Sequence, residues 1–386
     1  MTAKRAYLDH NASAPLRAGA RAAMLEALTA ANPSSVHAEG RAARGIVEAA
    51  RRSVAALVNA KPEHVVFTSG ATEAAAMLLS PRWRMGRAPL RMARLYVCEA
   101  DHPCILGGGA FDAAQVTRIG VDGNGVLDLA MLAAALAAHD RQEGLPLVAI
   151  HHANNETGVI QPVEEIGRIA RERGAVLMLD AAQSAGRIAL DIAAGHADYL
   201  ILSSHKIGGP KGVGALVAAS DLMMPEPLLG GGGQEKGHRA GTENVAGIAG
   251  FGAAARAALS ELGGIGAVRA MRDRLERDLL AREPHATIFG AATSRLPNTS
   301  FFALPGIKAE TAQIAFDLAG VALSAGSACS SGKVGPSHVL RAMGFGIDAG
   351  ALRVSIGPST SAEEVALFGS ALEQILARRG GATKAA

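Results

Sequence analysis

Aromatic residues make up only 3% of this 386-residue chain, and there is a single tryptophan. A core must therefore be built mainly from Ala, Val, Leu and Ile, and a 49% apolar composition supplies enough of them. Long runs of one charge are also missing and the formal net charge is only +3, so the electrostatic footprint of a nucleic-acid binder is absent. No uncharged apolar run reaches the roughly eighteen residues of a membrane span. Cysteine is scarce: Cys98, Cys104 and Cys329 are an odd number at spacings that fit no disulfide framework, which points to a reducing compartment. The first residues, Met1 to Asp9, carry no apolar signal core, and a soluble, cytoplasmic protein is the expectation.

What is present is an alternation. At this length two domains are expected. Short apolar runs at Val65–Thr68, Leu95–Cys98, Leu147–His151, Val176–Asp180, Tyr199–Ser203 and Val213–Ala218 read as strands. Helical patterns lie between them, at Ala18–Ala31, Gly40–Val58, Thr72–Leu79, Leu127–Ala138 and Val163–Arg173. This order predicts an α/β domain with a largely parallel sheet over residues 15–260. A glycine cluster, Leu229–Gln234, precedes a helical stretch from Asn244 to Leu262. A second, α+β unit over 261–386, joined by the segment 1–14, is expected to hold helices at Ala267–Arg282, Ala309–Ala319 and Ser361–Arg378. Its strands are expected at Asn298–Ala303 and Val321–Ser324, and its tail, Gly380–Ala386, to fray.

Polar residues follow the strands, where ligands of open α/β sheets bind. Lys206 comes just after an apolar strand and before Ile-Gly-Gly-Pro-Lys-Gly. It is either a solvated surface charge or an amine held for Schiff-base chemistry with pyridoxal phosphate (PLP). Thr68-Ser-Gly-Ala-Thr72-Glu73 joins a strand to a helix, as an anion site or a plain N-cap. Asp180 ends a strand; it is a turn former, or the partner of a pyridine nitrogen. His102 is structural or solvent-facing, or it stacks on a cofactor ring and exchanges protons. Asn155 sits in an Asn/Gly turn after another strand. Zinc is rejected: His151 and His152 are adjacent and point apart on a strand, and Cys98 and Cys104 lack a second pair. Cys329 lies in a run of Gly, Ser and Ala where packing gives no reason for a thiol. That setting suits a travelling nucleophile, while Cys98 and Cys104 read as inert apolar residues.

With these residues in this order, the chain resembles the cysteine desulfurases of the class V aminotransferase superfamily, and within them the NifS/IscS branch. The resemblance rests on His152–Gly158, Ser203–Lys206, Arg239–Asn244 and Gly326–Gly332. It extends from Tyr7-Leu-Asp-His-Asn-Ala through Asn32–His37 to Leu352–Gly357. It implies a PLP-dependent transferase of fold type I, with a mainly parallel seven-stranded sheet and a smaller C-terminal domain. By the same comparison Lys206 carries PLP and Asp180 pairs with its ring nitrogen. His102 stacks on the ring, and Asn155 and Gln183 approach its phenolic oxygen. Ala71, Thr72, Ser203 and His205 cradle the phosphate, and Thr242 reaches the phosphate of a neighbouring subunit, implying a homodimer. Arg353 and Asn32 bind substrate, with Arg353 clamping its carboxylate. Cys329 becomes the persulfide.

The resemblance implies conversion of L-cysteine to L-alanine. Sulfur would pass through Cys329 to an acceptor, an iron–sulfur scaffold or a thiolation protein, with no metal used in catalysis and any iron–sulfur cluster on Cys329 transient. Another class V activity, an aminotransferase or a selenocysteine lyase, is the alternative, and a silent assembly platform a third reading. The sequence departs from the family pattern at His10 and Ser13, in the Arg- and Pro-rich stretch Pro81–Arg94 where a helix is usual, and after Cys329.

Overall fold

The computed structural model describes residues 5–326, 337–346 and 350–383. Cys329 lies outside the described residues. Among those described, the large sheet runs in the order Met223–Pro225, Arg82–Met85, Ala88–Cys98, Leu145–His151, Val176–Asp180, Tyr199–Ser203, Gly214–Ala218, Val65–Thr68. Val116–Ile119 pairs in addition with Ala88–Cys98. From Val116–Ile119 to Tyr199–Ser203 all pairings are parallel, whereas Gly214–Ala218 runs antiparallel to both neighbours.

Side chains alternate between two cores, as the two-residue period of a strand requires. Val148, Ile150, Leu177, Leu179, Leu200 and Leu202 enter one core, against the Ala38–Leu57 and Val245–Glu261 helices. Leu147, Ala149, Val176, Met178, Tyr199 and Ile201 enter the other, against the Ala71–Leu78 helix. Both faces are covered, which is why these strands read as continuous apolar runs. Val245–Arg282 is apolar and long enough to suggest a membrane span by composition alone. Phe251, Ala254 and Ala255 of that stretch are instead buried in the first core.

The sheet carries two strands more than the seven expected. Pro81–Arg94, where the family pattern has a helix, forms a hairpin whose Met85 and Ala88 pair across a two-residue turn. Gly86 takes a φ of 58° there, as the primed hairpin turns require at their first central position. Trp83 anchors the hairpin: it is buried, stacks edge-on to Tyr199 at 5.2 Å and donates from Nε1 to Ser80 O at 2.8 Å. Met223–Pro225 covers the hairpin's outer strand.

A third core brings Ala6 and Leu8 together with side chains from Val268 to Ile375 around a four-stranded sheet. That sheet is antiparallel, in the order Thr287–Ile288, Thr299–Ala303, Leu352–Ser355, Ser324–Ala325. The terminal helix continues through Gly380 to Thr383, beyond the point where fraying was expected.

The glycine-rich segment after Leu229 is fixed by a buried ion pair. Glu235 accepts from Arg51 Nη1 at 2.7 Å, from Arg51 Nη2 at 2.8 Å and from Phe67 N at 2.8 Å. Glu235 and Lys236 both adopt positive φ, 47° and 56°, a strained geometry for residues with side chains. Removing one partner of a buried pair strands the other charge. Glu235→Ala should therefore lower unfolding stability by about 3–5 kcal/mol, read as a fall in the urea midpoint; a loss below about 1 kcal/mol, the scale of an exposed pair, would show that the latch is not structural.

Candidate active site

The parallel strands end side by side, and their following loops form one wall of a cavity of about 550 Å³. Strand alternation puts His151, Asp180 and Ser203 on the face of the sheet that carries Ala149, Met178 and Ile201. The Ala71–Leu78 helix packs on that same face, so its N-terminus meets the strand ends. Ala71, Thr72, His102, Asn155, Asp180, Gln183, Ser203, His205 and Lys206 all line the cavity. Nine expected site residues, scattered over 136 positions of sequence, thus converge.

Lys206 enters from the turn after Tyr199–Ser203, and its Nζ donates to Asn11 O at 2.5 Å and Ala12 O at 3.0 Å. Gln183 Nε2 donates to the same Asn11 carbonyl at 3.1 Å, and Arg187 holds the Gln183 side-chain oxygen. Asp180 accepts from Ala182 N at 2.9 Å, and burial raises its pKa above the usual carboxylate value. His102 caps the short helix Pro103–Leu106, accepting at Nδ1 from Cys104 N at 3.2 Å. Its Nε2 is therefore the ring atom left to carry or hand over a proton. Burial lowers the His102 pKa, with Asp180 opposing and Lys206 reinforcing the shift.

The helix start at Ala71 is built for an anion. Its N-cap is Gly70, with no side-chain cap; Thr68 Oγ1 bonds to Gly70 O instead. The capping alternative is not realised, and the first-turn amides face the cavity end of the helix, where an anion is favoured. Glu73 would oppose such an anion, but Arg239 pairs with it at 2.9 Å. The lysine, the strand-end carboxylate and this uncapped helix fit a flat phosphorylated aldehyde such as PLP.

Three expected residues stand apart. Asn32 is exposed and its Oδ1 accepts from Ser34 N at 2.9 Å. Thr242 is exposed and lines a separate pocket with Ser69 and Arg239. Arg353 is fully buried behind Asn155, donating to Asn155 O at 2.9 Å and to Asp9 Oδ1 at 2.8 Å. Its Nε, however, is buried and has no hydrogen-bond partner among the described residues.

Sequence reasoning missed Ser13, Cys104, His151 and Lys211 as cavity residues. Cys104, read as an inert apolar residue, lies 3.0 Å from His102 Nδ1, and burial pushes its thiol pKa well up. The Pro at position 103, which starts a helix, was the available signal that residue 104 turns back toward His102.

Residues 6–368 match the family described as aminotransferase class-V. A protein described as cysteine desulfurase from Cereibacter sphaeroides is 41% identical over 371 residues, covering 94% of this chain and 93% of that protein. Another so described, from Enterobacter agglomerans, is 39% identical, covering 97% and 93%. A NifS-like protein from Rickettsia africae superposes with a TM-score of 0.86 at 30% identity, covering 97% of this chain and 99% of that one.

Burial dominates the buried histidines, lowering the pKa of both His10 and His152 to about 4, with Arg187 adding to the shift at His10 and His151 at His152. Below the ordinary value of 6.5 the unfolded chain takes up protons that the folded chain refuses. Stability is therefore fully present above that pH and falls as the solution is acidified toward 4. Each histidine accounts for a loss on the order of 3 kcal/mol by the bottom of that window. His152→Leu should flatten the pH dependence of the urea midpoint between these limits; an unchanged slope would refute the assignment.

Proposed function

This chain belongs to the class-V aminotransferase family, and we propose that it acts as a PLP-dependent cysteine desulfurase, taking L-cysteine to L-alanine and moving its sulfur onto Cys329. The observation that carries the reading is the placement of Lys206 Nζ in one cavity with Asp180, His102 and Gln183, beside a helix start without a side-chain cap. Lys206 would hold the aldehyde, Asp180 the ring nitrogen, and His102 the ring face. Asn155 and Gln183 would meet the phenolic oxygen, and Ala71, Thr72, Ser203 and His205 the phosphate. Bound there, PLP supplies an electron sink for the amino acid's α-carbon.

The chain's own groups supply the rest. Arg353 orients the cysteine carboxylate through its planar fork, and Asn32, which stands outside the cavity here, is the second substrate-binding group. Lys206 Nζ takes the α-proton. Cys329, as thiolate, attacks the substrate sulfur; an S–S bond forms, the carbon–sulfur bond breaks, and its electron pair stays with the carbon that becomes the alanine methyl group. His102 Nε2 exchanges the proton of the thiol. The persulfide then passes its outer sulfur to an acceptor protein, either an iron–sulfur scaffold or a thiolation protein. Two copies would form the working unit in the cytoplasm, the exposed Thr242 reaching its neighbour's phosphate site.

Two variants test this. Lys206→Ala should abolish the visible absorption of the PLP-loaded protein. Cys329→Ala should keep that absorption while cysteine-dependent alanine formation falls at least about a hundredfold, the scale of a missing catalytic group. Desulfuration persisting at the wild-type rate in Cys329→Ala would sink the nucleophile assignment.

A further inference from the structure

Behind Asp180 lies a buried polar cluster that the reaction does not yet use. Cys98, Asp101 and His151 bring ligand atoms within 4.8 Å of one another, as a metal site would. Those atoms are already committed to hydrogen bonds. Asp101 Oδ1 accepts from His151 N at 2.7 Å and meets His151 Nδ1 at 2.5 Å, while its Oδ2 accepts from Cys98 N at 2.7 Å. The Cys98 Sγ likewise accepts from Ala100 N at 3.4 Å, and burial drives its thiol pKa well up.

The far side of the His151 ring fixes its tautomer. Gln161 Oε1 accepts from Leu127 N at 2.9 Å, which identifies the amide's other end as nitrogen. That nitrogen donates to Gly125 O and to His151 Nε2, each at 2.9 Å. His151 Nε2 therefore accepts, Nδ1 carries the hydrogen, and Nδ1 donates to Asp101. A directed chain results, running Gln161 to His151 to Asp101.

Its end faces the candidate cofactor groups. His151 and Asp180 are register partners on adjacent parallel strands, so their side chains leave the same face. Both line the cavity. Asp101 directly precedes His102, and its carbonyl meets His338 Nε2 at 2.8 Å. The charged and titratable groups around Asp180 are thus Asp101, His102 and Cys104 after one strand, His151 on the next, Lys206 across the cavity, and His338 from the short helix His338–Ala342.

We propose that Asp101 and His151, oriented by Gln161, are positioning residues that place a fixed negative charge behind Asp180 and hold His102 in line. A like charge in a dry site makes Asp180 more basic, so it grips a ring-nitrogen proton more firmly. The direction of the Asp180 shift, to which Asp101 contributes, agrees. This inference rests on the PLP reading above.

The test is a pH titration of the visible band of PLP-loaded protein, paired with cofactor affinity and the melting temperature of the cofactor-free form. Asp101→Asn removes the charge at constant size. Its band midpoint should move down by about 0.5–1 pH unit, and PLP should bind about tenfold more weakly. His151→Leu should act in the same direction, whereas His151→Gln, which can still donate to Asp101, should restore most of the midpoint. Phe316→Ala, which opens a cavity in the third core, should lower the melting temperature and leave the midpoint in place. Wild-type midpoints in both Asp101→Asn and His151→Leu would reduce the cluster to packing and overturn the proposal. If only Asp101→Asn fails to fold, the His151 pair decides alone. A wild-type protein that takes up no PLP would overturn the functional reading and this inference with it.

Discussion

The site depends on one half-buried contact: the Lys206 amine held by the main-chain carbonyls of Asn11 and Ala12. A hydrogen bond to a charged or highly polar donor is strongest where water is excluded. Here the acceptors are peptide groups that cannot rotate away. Asn11 is itself immobilised. Its N donates to Ser355 Oγ at 2.9 Å, its Nδ2 to Thr299 Oγ1 at 3.0 Å, and its Oδ1 accepts from Asn298 at 3.0 Å. The strand that delivers the lysine belongs to the large sheet, yet the carbonyls that aim it are pinned to the small one. Docking of the third core on the large sheet is thereby a condition for the geometry of the amine.

Around that amine, burial pushes acid and base toward their neutral forms. The Asp180 pKa rises and the His102 pKa falls for the same reason, removal of the charged form from water. Titratable pairs driven in opposite directions are typical of sites that move protons near neutral pH. The helix start obeys a different rule. There Glu73 is held low by Arg239 and Ser69 despite burial, so its charge is spent locally on a guanidinium. An anion at the Ala71 amides consequently meets a neutralised pair instead of a bare carboxylate.

Much of this was legible in the sequence where local chemistry and tertiary role coincide. Val65–Thr68, Val176–Asp180 and Tyr199–Ser203 match the observed strands residue for residue because strands buried on both faces read as near-continuous apolar runs. Other elements were hidden. Arg82–Met85 places its one apolar anchor, Trp83, between exposed arginines, so alternation there carries little signal. Val116–Ile119 is short and half-exposed. Leu352–Ser355 is fully buried although it contains Arg353, whose charge is satisfied by Asp9 from 344 residues away. No local pattern announces such a partner. The same limit applies to His151, whose role is set by Asp101 and Gln161 on other segments.

The polar connections also link the two halves of the chemistry. Upstream of the segment that bears Cys329, Gly326 N donates to Ala351 O at 2.8 Å. Downstream, Ser337 Oγ donates to Glu156 Oε2 at 2.5 Å while capping the next helix through Leu340 N. Glu156 immediately follows Asn155, and Asp101, which meets His338, immediately precedes His102. Ser337 and His338, which follow the segment that bears Cys329, are therefore tied to the same two turns that present the groups expected around the cofactor ring. Burial raises the Glu156 pKa, so the Ser337 contact is made by an acid whose anion is costly and whose hydroxyl partner offsets part of that cost. A displacement of either turn moves a cavity-lining side chain and the residues that follow the Cys329 segment together, so the two cannot vary independently.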